Sequence, residues 1–343
     1  MTEKGEYKNL PDRAPDPDGT PVPLGAILGE YCKRLGNGTH DLLGIPSGFE
    51  ALDKKTQGLD GLIVLGGMAG QGKTSLALHL ALKACEAKLP VLYYSLEMPR
   101  WSILTKMLTR LSRVDYSEIL LKGGQYLGGD DWKQDAQEFE KFGRMLAGLS
   151  VGEQTRLKNG HKVLKGISDR FYVRTLEHGD ADISLEGIEK EIHLLKRRHI
   201  TTNVFVVVDY LQVFPMGDYK DPMDREGRLM TGFRRLCERT GATILLISQK
   251  NKSGFENRVG LQTLKGNLDI AYLADVVMFL EAPHEESQEA IAARPAAVRE
   301  TVPVNLTIAK NRYNAPARIP LRFNGRFGEF TGPDEGAESR LRA

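Results

Sequence analysis

The sequence predicts an α/β fold in which helices cover both faces of a mainly parallel sheet. Apolar runs rich in β-branched residues, such as LIVLGG (62–67), NVFVVVDYLQVF (203–214) and ATILLIS (242–248), are typical of buried strands. Segments with helical periodicity lie between them, including TSLALHLALKACEAK (74–88). Buried strands that alternate with helices favour parallel strands joined by helical crossovers. The last strands follow one another closely, so we expect them to pair antiparallel.

The bulk composition sets limits on the partners of the chain. Its 343 residues carry a net charge of +2, because 47 Lys and Arg side chains nearly balance 45 Asp and Glu. This balance gives no overall field that attracts nucleic acid or an anionic membrane, so a polyanion site must be a local patch. The cysteines Cys32, Cys85 and Cys237 form no CxxC motif, which disfavours structural zinc and a disulfide framework. With no signal core and no apolar run of about 20 residues, the sequence indicates a soluble cytoplasmic protein without a membrane partner.

The domain organisation follows from composition and periodicity. We expect residues 1–22 to be a disordered tail, since they are charged and contain four prolines. Apolar residues recur at helical spacing within 23–36, which predicts a short amphipathic helix that packs on its own core or on a neighbouring subunit. Residues 40–331 are predicted to form one domain with a helical insertion at 121–165, and 332–343 to be a frayed tail.

The stretch GMAGQGKT (67–74) matches the phosphate-binding pattern GxxxxGK[ST] between a predicted strand and a predicted helix. Its glycines allow successive backbone N–H groups to face an anion, and the helix N-terminus adds positive potential. The lysine of the motif can reach the β- and γ-phosphates, and the threonine hydroxyl can ligate Mg²⁺. The predicted nucleotide-binding residues are Gly67, Gly70, Gly72, Lys73, Thr74 and Ser75.

Two carboxylates are expected beside this loop. Asp209 ends an apolar strand, where it can hold the metal together with Thr74; the alternative is an aspartate that caps a turn. The phosphate-binding loop 67–74 is called the P-loop below. Glu97 follows the strand that comes after the P-loop helix, and parallel strands end at the same edge of a sheet, so we expect Glu97 in the same crevice as the P-loop. It can therefore orient a water and accept its proton during attack on the γ-phosphate. A surface ion pair between Glu97 and Arg100 is the alternative.

Polar side chains end two further strands. Gln249 ends ATILLISQ in the same crevice, where its amide can hydrogen-bond the γ-phosphate or the attacking water; the alternative is a Gln that caps the strand. Lys310 and Arg312 are two residues apart, so on a strand they point the same way. Such a pair suits an arginine finger donated to a neighbouring subunit, and equally a solvated basic edge that prevents strand aggregation.

Several elements in fixed order resemble a known family. They are GIPSGFEALDKKTQGL (44–59), GMAGQGKT, YYSLEM, VVVDYLQ and ISQ, followed by IAKNRYNAPARIPLRF. Together they resemble the C-terminal RecA-like motor domain of the DnaB-type replicative helicases (superfamily 4), over roughly residues 23–330. GIPSGFEALD and YYSLEM discriminate best, since a P-loop alone is shared by many folds.

The resemblance implies a RecA-like fold preceded by a linker helix. It further implies a hexameric ring that binds ATP and Mg²⁺ between subunits and single-stranded DNA in its channel. By the resemblance, Glu97 is the catalytic glutamate, Asp209 the Walker B carboxylate and Gln249 the phosphate sensor. Lys310 and Arg312 match the pair supplied in trans. The candidate DNA-lining residues are Lys252, Arg258 and Lys265.

The chain also differs from the family pattern. From this sequence we expect no helical collar before the motor, and so no primase recruitment through such a collar; a primase or helicase loader is a candidate partner. The region 121–165 is longer than expected. The leading hypothesis is a ring-forming, ATP-driven DNA helicase. The alternatives are a RecA-like ATPase that binds DNA or a partner without unwinding, and a P-loop kinase that acts on a small substrate.

Overall fold

The computed structural model describes residues 24, 25, 28, 42, 44–123, 148–176, 183–215, 222–249, 272–281 and 301–332. These residues form a nine-stranded sheet with helices on both faces. The strands are β1 (Leu62–Gly67), β2 (Val91–Ser95), β3 (Phe171–Thr175), β4 (Phe205–Asp209), β5 (Thr243–Gln249), β6 (Val276–Glu281), β7 (Thr301–Asn311), β8 (Ala317–Asn324) and β9 (Glu329–Thr331). The helices are α1 (Glu50–Thr56), α2 (Lys73–Glu86), α3 (Arg100–Ser112), α4 (Tyr116–Gly123), α5 (Val151–Ile167), α6 (Leu185–His199) and α7 (Pro222–Thr240), with a 3₁₀ turn at Leu211–Val213.

The sheet has a parallel part and an antiparallel part. Its strand order is β3-β2-β4-β5-β1-β6-β7-β8-β9. All neighbours from β3 to β6 are parallel, whereas β6, β7, β8 and β9 pair antiparallel. The predicted α/β class and the antiparallel pairing of the last strands are both confirmed. Because β7 reverses direction, its last residues lie where the parallel strands begin.

Alternating side chains of each strand bury into two separate cores. Ile63 and Leu65 pack with α2 and α3 on one face, while Leu62 and Val64 pack with α6 and α7 on the other. Both faces are therefore dry, which explains why the strands read as continuous apolar runs. The helix α2 is buried along most of its length, with Leu76, Ala77, Leu80 and Ala81 fully inaccessible.

Two helices begin where the sequence offers a capping serine. Ser184 accepts a hydrogen bond from Gly187 N (3.0 Å) at the start of α6. Ser150 forms a capping box with Glu153 before α5, because its Oγ accepts from Glu153 N and its own N donates to Glu153 Oε2 (2.9 Å). These bonds satisfy amide groups that have no partner within the helix. The predicted insertion 121–165 covers the end of α4 and most of α5, and residues 124–147 lie outside the described residues.

The parallel strands define two opposite edges of the sheet. We call the edge at which β1, β2, β4 and β5 end the carboxyl edge; register places Gly67 beside Gln249 and Ser95 beside Asp209 there. We call the edge at which β1 and β6 begin, and β7 ends, the amino edge. Strand β1 spans six residues, so the two edges lie about 16 Å apart at ~3.3 Å per residue.

Candidate functional site

The P-loop follows β1 at the carboxyl edge and turns directly into α2. Gly70 and Gly72 have φ angles of 80° and 87°, which lie in the left-handed region that glycine tolerates without strain. Lys73 Nζ donates hydrogen bonds to the carbonyl oxygens of Gly67 (2.8 Å) and Met68 (2.7 Å). The lysine side chain is thus held over the loop that it terminates.

The antiparallel end of the sheet supports the start of α2. A Cβ atom at Gly72 would lie 2.8 Å from the ring of Phe323 on β8, so a larger residue at position 72 would push this strand away. Gly328, in the turn between β8 and β9, approaches Ser75 so closely that a Cβ there would lie 3.1 Å from Ser75 Oγ. The start of α2 is therefore packed closely against β8 and the turn that follows it.

Asp209 is buried at the end of β4, and only 4% of it is exposed. Its Oδ2 accepts a hydrogen bond from the hydroxyl of Tyr93 (2.9 Å), and Thr74 donates a second one. Burial raises the pKa of Asp209 above its ordinary value, although the two hydroxyl groups and Lys73 oppose the shift. The peptide bond between Asp209 and Tyr210 is cis. Among the described residues, this carboxylate is oriented by the two hydroxyl groups and forms no ion pair with an arginine.

Glu97 lies in a tight turn between β2 and α3. Ser95 Oγ donates to Met98 O (2.6 Å) across this turn, and Leu96 N donates to Asp209 O (2.7 Å). These bonds hold Glu97, whose side chain is exposed, at the same edge as the P-loop. Burial lowers the pKa of Lys73, and the negative charges of Asp209 and Glu97 oppose that shift. Glu97 is therefore within electrostatic range of the lysine and the buried carboxylate.

The alternative interpretation of Glu97 is a surface ion pair with Arg100. Within the described part of the chain, no hydrogen bond or ion pair joins Glu97 to Arg100. Gln249 closes the same edge, because its backbone pairs with Gly67 in the parallel register between β1 and β5. The preceding residue, Ser248, accepts a hydrogen bond from Gln212 Nε2 (2.9 Å). Four strand ends thus converge on the P-loop, as the parallel arrangement predicts.

The oxygen atoms around the P-loop suit a hard divalent cation. Thr74 contributes a hydroxyl group and Asp209 a buried carboxylate, and the two are hydrogen-bonded to each other. Mg²⁺ prefers one or two such protein ligands together with phosphate and water oxygens. Groups of three or more His, Cys, Asp or Glu side chains that could hold a metal do not occur among the residues described here. These two residues therefore fit Mg²⁺ brought in with a nucleotide.

Lys310 and Arg312 lie at the amino edge. Lys310 Nζ donates to the carbonyl oxygens of Ala274 (2.7 Å) and Tyr272 (3.0 Å). Arg312 Nη1 lies 3.0 Å from Asp275 Oδ1. Neither cation is a purely solvated edge residue, because each is bound to the segment that precedes β6. Both are also remote from the P-loop of their own chain.

Sequence reasoning assigned no role to three residues that the fold places against the predicted ones. Tyr93 contacts Asp209 at the carboxyl edge. Asp275 and Arg234 contact each other at the amino edge and meet Arg312 there. Tyr93 and Asp275 lie within or beside strands whose apolar character dominates the pattern, so the sequence offers little signal for their polar contacts.

Other predicted features are described only in part or not at all. Lys252, Arg258 and Lys265, the predicted DNA-lining residues, lie outside the described residues. Of the predicted helix 23–36, only three residues are described; they are helical, and the side chains of Leu24 and Leu28 are 73% and 50% exposed. None of the helices found in the described ranges is both long and apolar enough to pass through a membrane.

The sheet order, the P-loop between β1 and α2, and the carboxylate at the end of β4 define the class of protein. This is a RecA-like α/β domain with a P-loop. A solved structure described as an ATPase domain has the same fold, with a TM-score of 0.71 at 17% identity over 92% of this chain and 100% of that one. A structure described as a DnaB-like replicative helicase and its interactions with primase gives 0.69 at 17% identity, over 90% of this chain and 68% of the other.

The family model described as the DnaB-like helicase C terminal domain matches residues 44–332, so the chain belongs to that family. The replicative DNA helicase DnaB of Pasteurella multocida (strain Pm70) is 28% identical over 314 residues, which cover 88% of this chain and 58% of the relative. The corresponding protein of Haemophilus influenzae is 26% identical over 308 residues, 87% of this chain and 57% of the relative. The chain thus spans less than two thirds of the length of these relatives.

Proposed function

We propose that this chain is the motor of a ring-forming DNA helicase that hydrolyses ATP at subunit interfaces and moves along single-stranded DNA. The observation that carries the proposal is the convergence of Lys73, Thr74, Asp209 and Glu97 at one sheet edge, in a chain that belongs to the DnaB-like helicase family. The curated relatives are named replicative DNA helicases, which favours unwinding over other uses of the same ATPase core.

The residues at the carboxyl edge have separate roles in this proposal. The P-loop glycines and Ser75 bind the phosphates, and Lys73 contacts the β- and γ-phosphates. Thr74 and Asp209 hold Mg²⁺, which neutralises phosphate charge when it is bound. Glu97 orients the attacking water and accepts its proton, because it is exposed to solvent and lies within electrostatic range of the lysine. Gln249 senses the γ-phosphate from the strand next to the P-loop.

The position of Lys310 and Arg312 supports a site shared between two subunits. They lie at the amino edge, about 16 Å along the strands from the P-loop of the same chain. A cation at this edge can therefore stabilise the γ-phosphate only of a neighbouring chain, as trans arginine fingers do. A closed ring, a hexamer by family resemblance, gives every chain such a neighbour. The helix 23–36 would dock on the adjacent subunit.

The DNA and partner assignments extend this proposal. Lys252, Arg258 and Lys265 would line the channel and contact the phosphates of single-stranded DNA, consistent with a chain of low net charge and a local basic lining. A primase or a helicase loader is the class of protein partner that we propose. The second candidate function is a RecA-like ATPase without unwinding activity, which the partial coverage of the relatives keeps open.

Strand displacement on a forked DNA duplex, with Mg²⁺ and ATP, tests the proposal. We expect unwinding by the wild-type chain and none by Lys73→Ala. ATP hydrolysis without unwinding would instead favour the second candidate function, unless an added primase or loader restored unwinding. ATPase activity, measured in parallel, shows whether a chain that does not unwind DNA still hydrolyses ATP.

Mixing two inactive variants tests whether the site is shared. Glu97→Gln lacks the proposed general base, whereas Arg312→Ala lacks the proposed finger. In a mixed ring, an Arg312→Ala chain supplies Glu97 and a neighbouring Glu97→Gln chain supplies Arg312, so some sites are complete. ATPase activity in the mixture above that of either variant alone is expected. The absence of recovery would contradict a site shared between subunits.

A further inference from the structure

A buried carboxylate lies at the centre of the basic cluster at the amino edge. Asp275, directly before β6, is only 2% exposed. Arg234 Nη1, from α7, lies 2.8 Å from both of its oxygen atoms, and Arg312 Nη1 lies 3.0 Å from Oδ1. The backbone adds a further contact, since Arg312 N donates to Asp275 O (2.8 Å). One aspartate thus joins α7, β6 and the end of β7.

The orientation of this carboxylate is fixed by the frame of the sheet. Leu62 N, at the start of β1, donates to Asp275 Oδ2 (2.9 Å). A Cβ atom at Gly61 would lie 2.2 Å from the same oxygen, so only a glycine at position 61 allows the backbone to approach the carboxylate this closely. Arg234, on helix α7, donates to both oxygen atoms of the carboxylate. Asp275 is therefore held from two sides, independently of Arg312.

The side chain of Arg312 is held at one nitrogen and otherwise accessible. Its side chain is 43% exposed, whereas that of Asp275 is 3% exposed. The ion pair described for it uses Nη1, which leaves the remaining N–H groups of the guanidinium for another acceptor. Lys310 has a similar tether, because Ala274 O and Tyr272 O accept from its Nζ. Both side chains are thus held by hydrogen bonds or an ion pair and are still partly accessible to solvent.

We propose that Asp275 is a positioning residue that presents Arg312 to the γ-phosphate bound by the neighbouring subunit, with Arg234 holding the carboxylate in place. The inference rests on the shared site proposed above. An arginine side chain that is free in solution loses rotamer entropy when it is fixed. Because Asp275 fixes Arg312 before the subunits meet, that cost does not fall on the transition state.

The test begins with Asp275→Asn, which keeps the size of the side chain and an acceptor for Leu62 N but removes the charge that binds Arg312. We expect kcat for ATP to fall about 10-fold, within the ~100-fold that a displacement of about 1 Å can cost. The KM for ATP should change less than about two-fold, since the P-loop that binds ATP is intact. A wild-type kcat in the assembled variant would overturn the proposal.

Subunit mixing separates positioning from a general structural defect. Asp275→Asn should be complemented by Glu97→Gln chains in the same way as Arg312→Ala is, because both defects lie on the donating side of the interface. The double variant Asp275→Asn/Arg312→Ala should be no slower than Arg312→Ala alone. Additive losses, or recovery for Arg312→Ala but not for Asp275→Asn, would overturn the role of Asp275. Failure of Arg312→Ala itself to be complemented would overturn the shared site, and this inference with it.

Two further variants provide the control and a milder perturbation. Glu238 binds Nε of Arg234 (2.7 Å) but has no described contact with Asp275 or Arg312, so Glu238→Gln should keep wild-type kcat. Arg234→Gln removes the side chain that holds Asp275 and should lower kcat about three-fold, with the same complementation pattern. It tests the proposal even where Asp275→Asn does not fold. Wild-type kcat in Arg234→Gln would contradict the role assigned to Arg234.

Discussion

The two edges of the sheet each contain one buried aspartate, and the two are satisfied by different partners. Asp209, 4% exposed, receives hydrogen bonds from the hydroxyl groups of Tyr93 and Thr74. Asp275, 2% exposed, is bound by the guanidinium groups of Arg234 and Arg312. Both carboxylates are equally removed from water. Among the described residues, Asp275 pairs directly with two guanidinium groups, whereas Lys73 acts on Asp209 without forming an ion pair with it.

The side chains that bind each aspartate, hydroxyl groups or guanidinium groups, fit the role proposed for its edge of the sheet. Hydroxyl groups orient a carboxylate but do not cancel its charge, so burial raises the pKa of Asp209 and the site favours an incoming cation. Arginine side chains neutralise Asp275, and that carboxylate in turn fixes the side chain of Arg312. The carboxyl edge is thus suited to bind a charged ligand, and the amino edge to present a charged group.

The largest effect that would separate the two edges is expected for Lys73→Ala. It should abolish ATP turnover, because the P-loop would lose the cation that contacts the β- and γ-phosphates. Steady-state phosphate release measures this. Lys55→Ala, at an exposed lysine of α1, is the matched control and should retain turnover. Full activity in Lys73→Ala would mean that the nucleotide does not bind at the carboxyl edge.

Glu97→Gln should slow ATP hydrolysis at least about 100-fold, the usual contribution of a general base. Binding of ATP should persist, since the variant leaves Lys73, Thr74 and Asp209 unchanged. Single-turnover hydrolysis, together with equilibrium binding of a fluorescent ATP analogue, separates the two steps. Glu50→Gln, at a glutamate whose side chain is 80% exposed, is the control. Equal turnover in both variants would remove Glu97 from the catalytic step.

Asp275→Asn should lower the free energy of unfolding by about 2 kcal/mol, because it leaves Arg234 and Arg312 beside each other without their shared counter-charge. The urea midpoint at fixed protein concentration measures the change. Glu238→Gln again serves as the control, since the carboxylate that it removes is more exposed and its ion pair within the described part of the chain is with Arg234. A midpoint unchanged in Asp275→Asn would show that the cluster at the amino edge does not depend on the charge.

The smallest expected effect is an increase in the free energy of unfolding. Asp209→Asn should raise the free energy of unfolding by about 1 kcal/mol near neutral pH, because the burial of this carboxylate outweighs the favourable contacts with Tyr93, Thr74 and Lys73. The pKa of Asp209 is raised on folding, so the folded state binds more protons and wild-type stability falls as pH rises through this window. The advantage of Asp209→Asn should therefore disappear below about pH 3.8, the ordinary value. A stability loss at pH 7 would contradict this sign.

Much of the carboxyl edge could be predicted from the sequence because its signals are local. The P-loop pattern needs only adjacent residues, and Asp209 and Glu97 each follow a recognisable apolar strand. Parallel pairing then brings the strand ends together without further information. The catalytic roles of these residues remain predictions, but their proximity follows from the strand order.

The amino edge could not be predicted in the same way because its contacts join distant segments. Arg234 and Asp275 are 41 residues apart, and neither belongs to a motif. Their contact depends on where α7 crosses the sheet, which hydrophobic periodicity does not specify. In the sequence, Asp275 resembles any aspartate that precedes a buried strand.

Because β7 reverses direction, the number of complete sites depends on how the chains are arranged. On the proposed arrangement each chain contributes half of two sites, one at each edge of its sheet, and a solitary chain completes none. An open row of chains has one site fewer than it has members, and only closure makes the two numbers equal. Turnover per chain should therefore depend on protein concentration, and dilution should silence the protein without unfolding it.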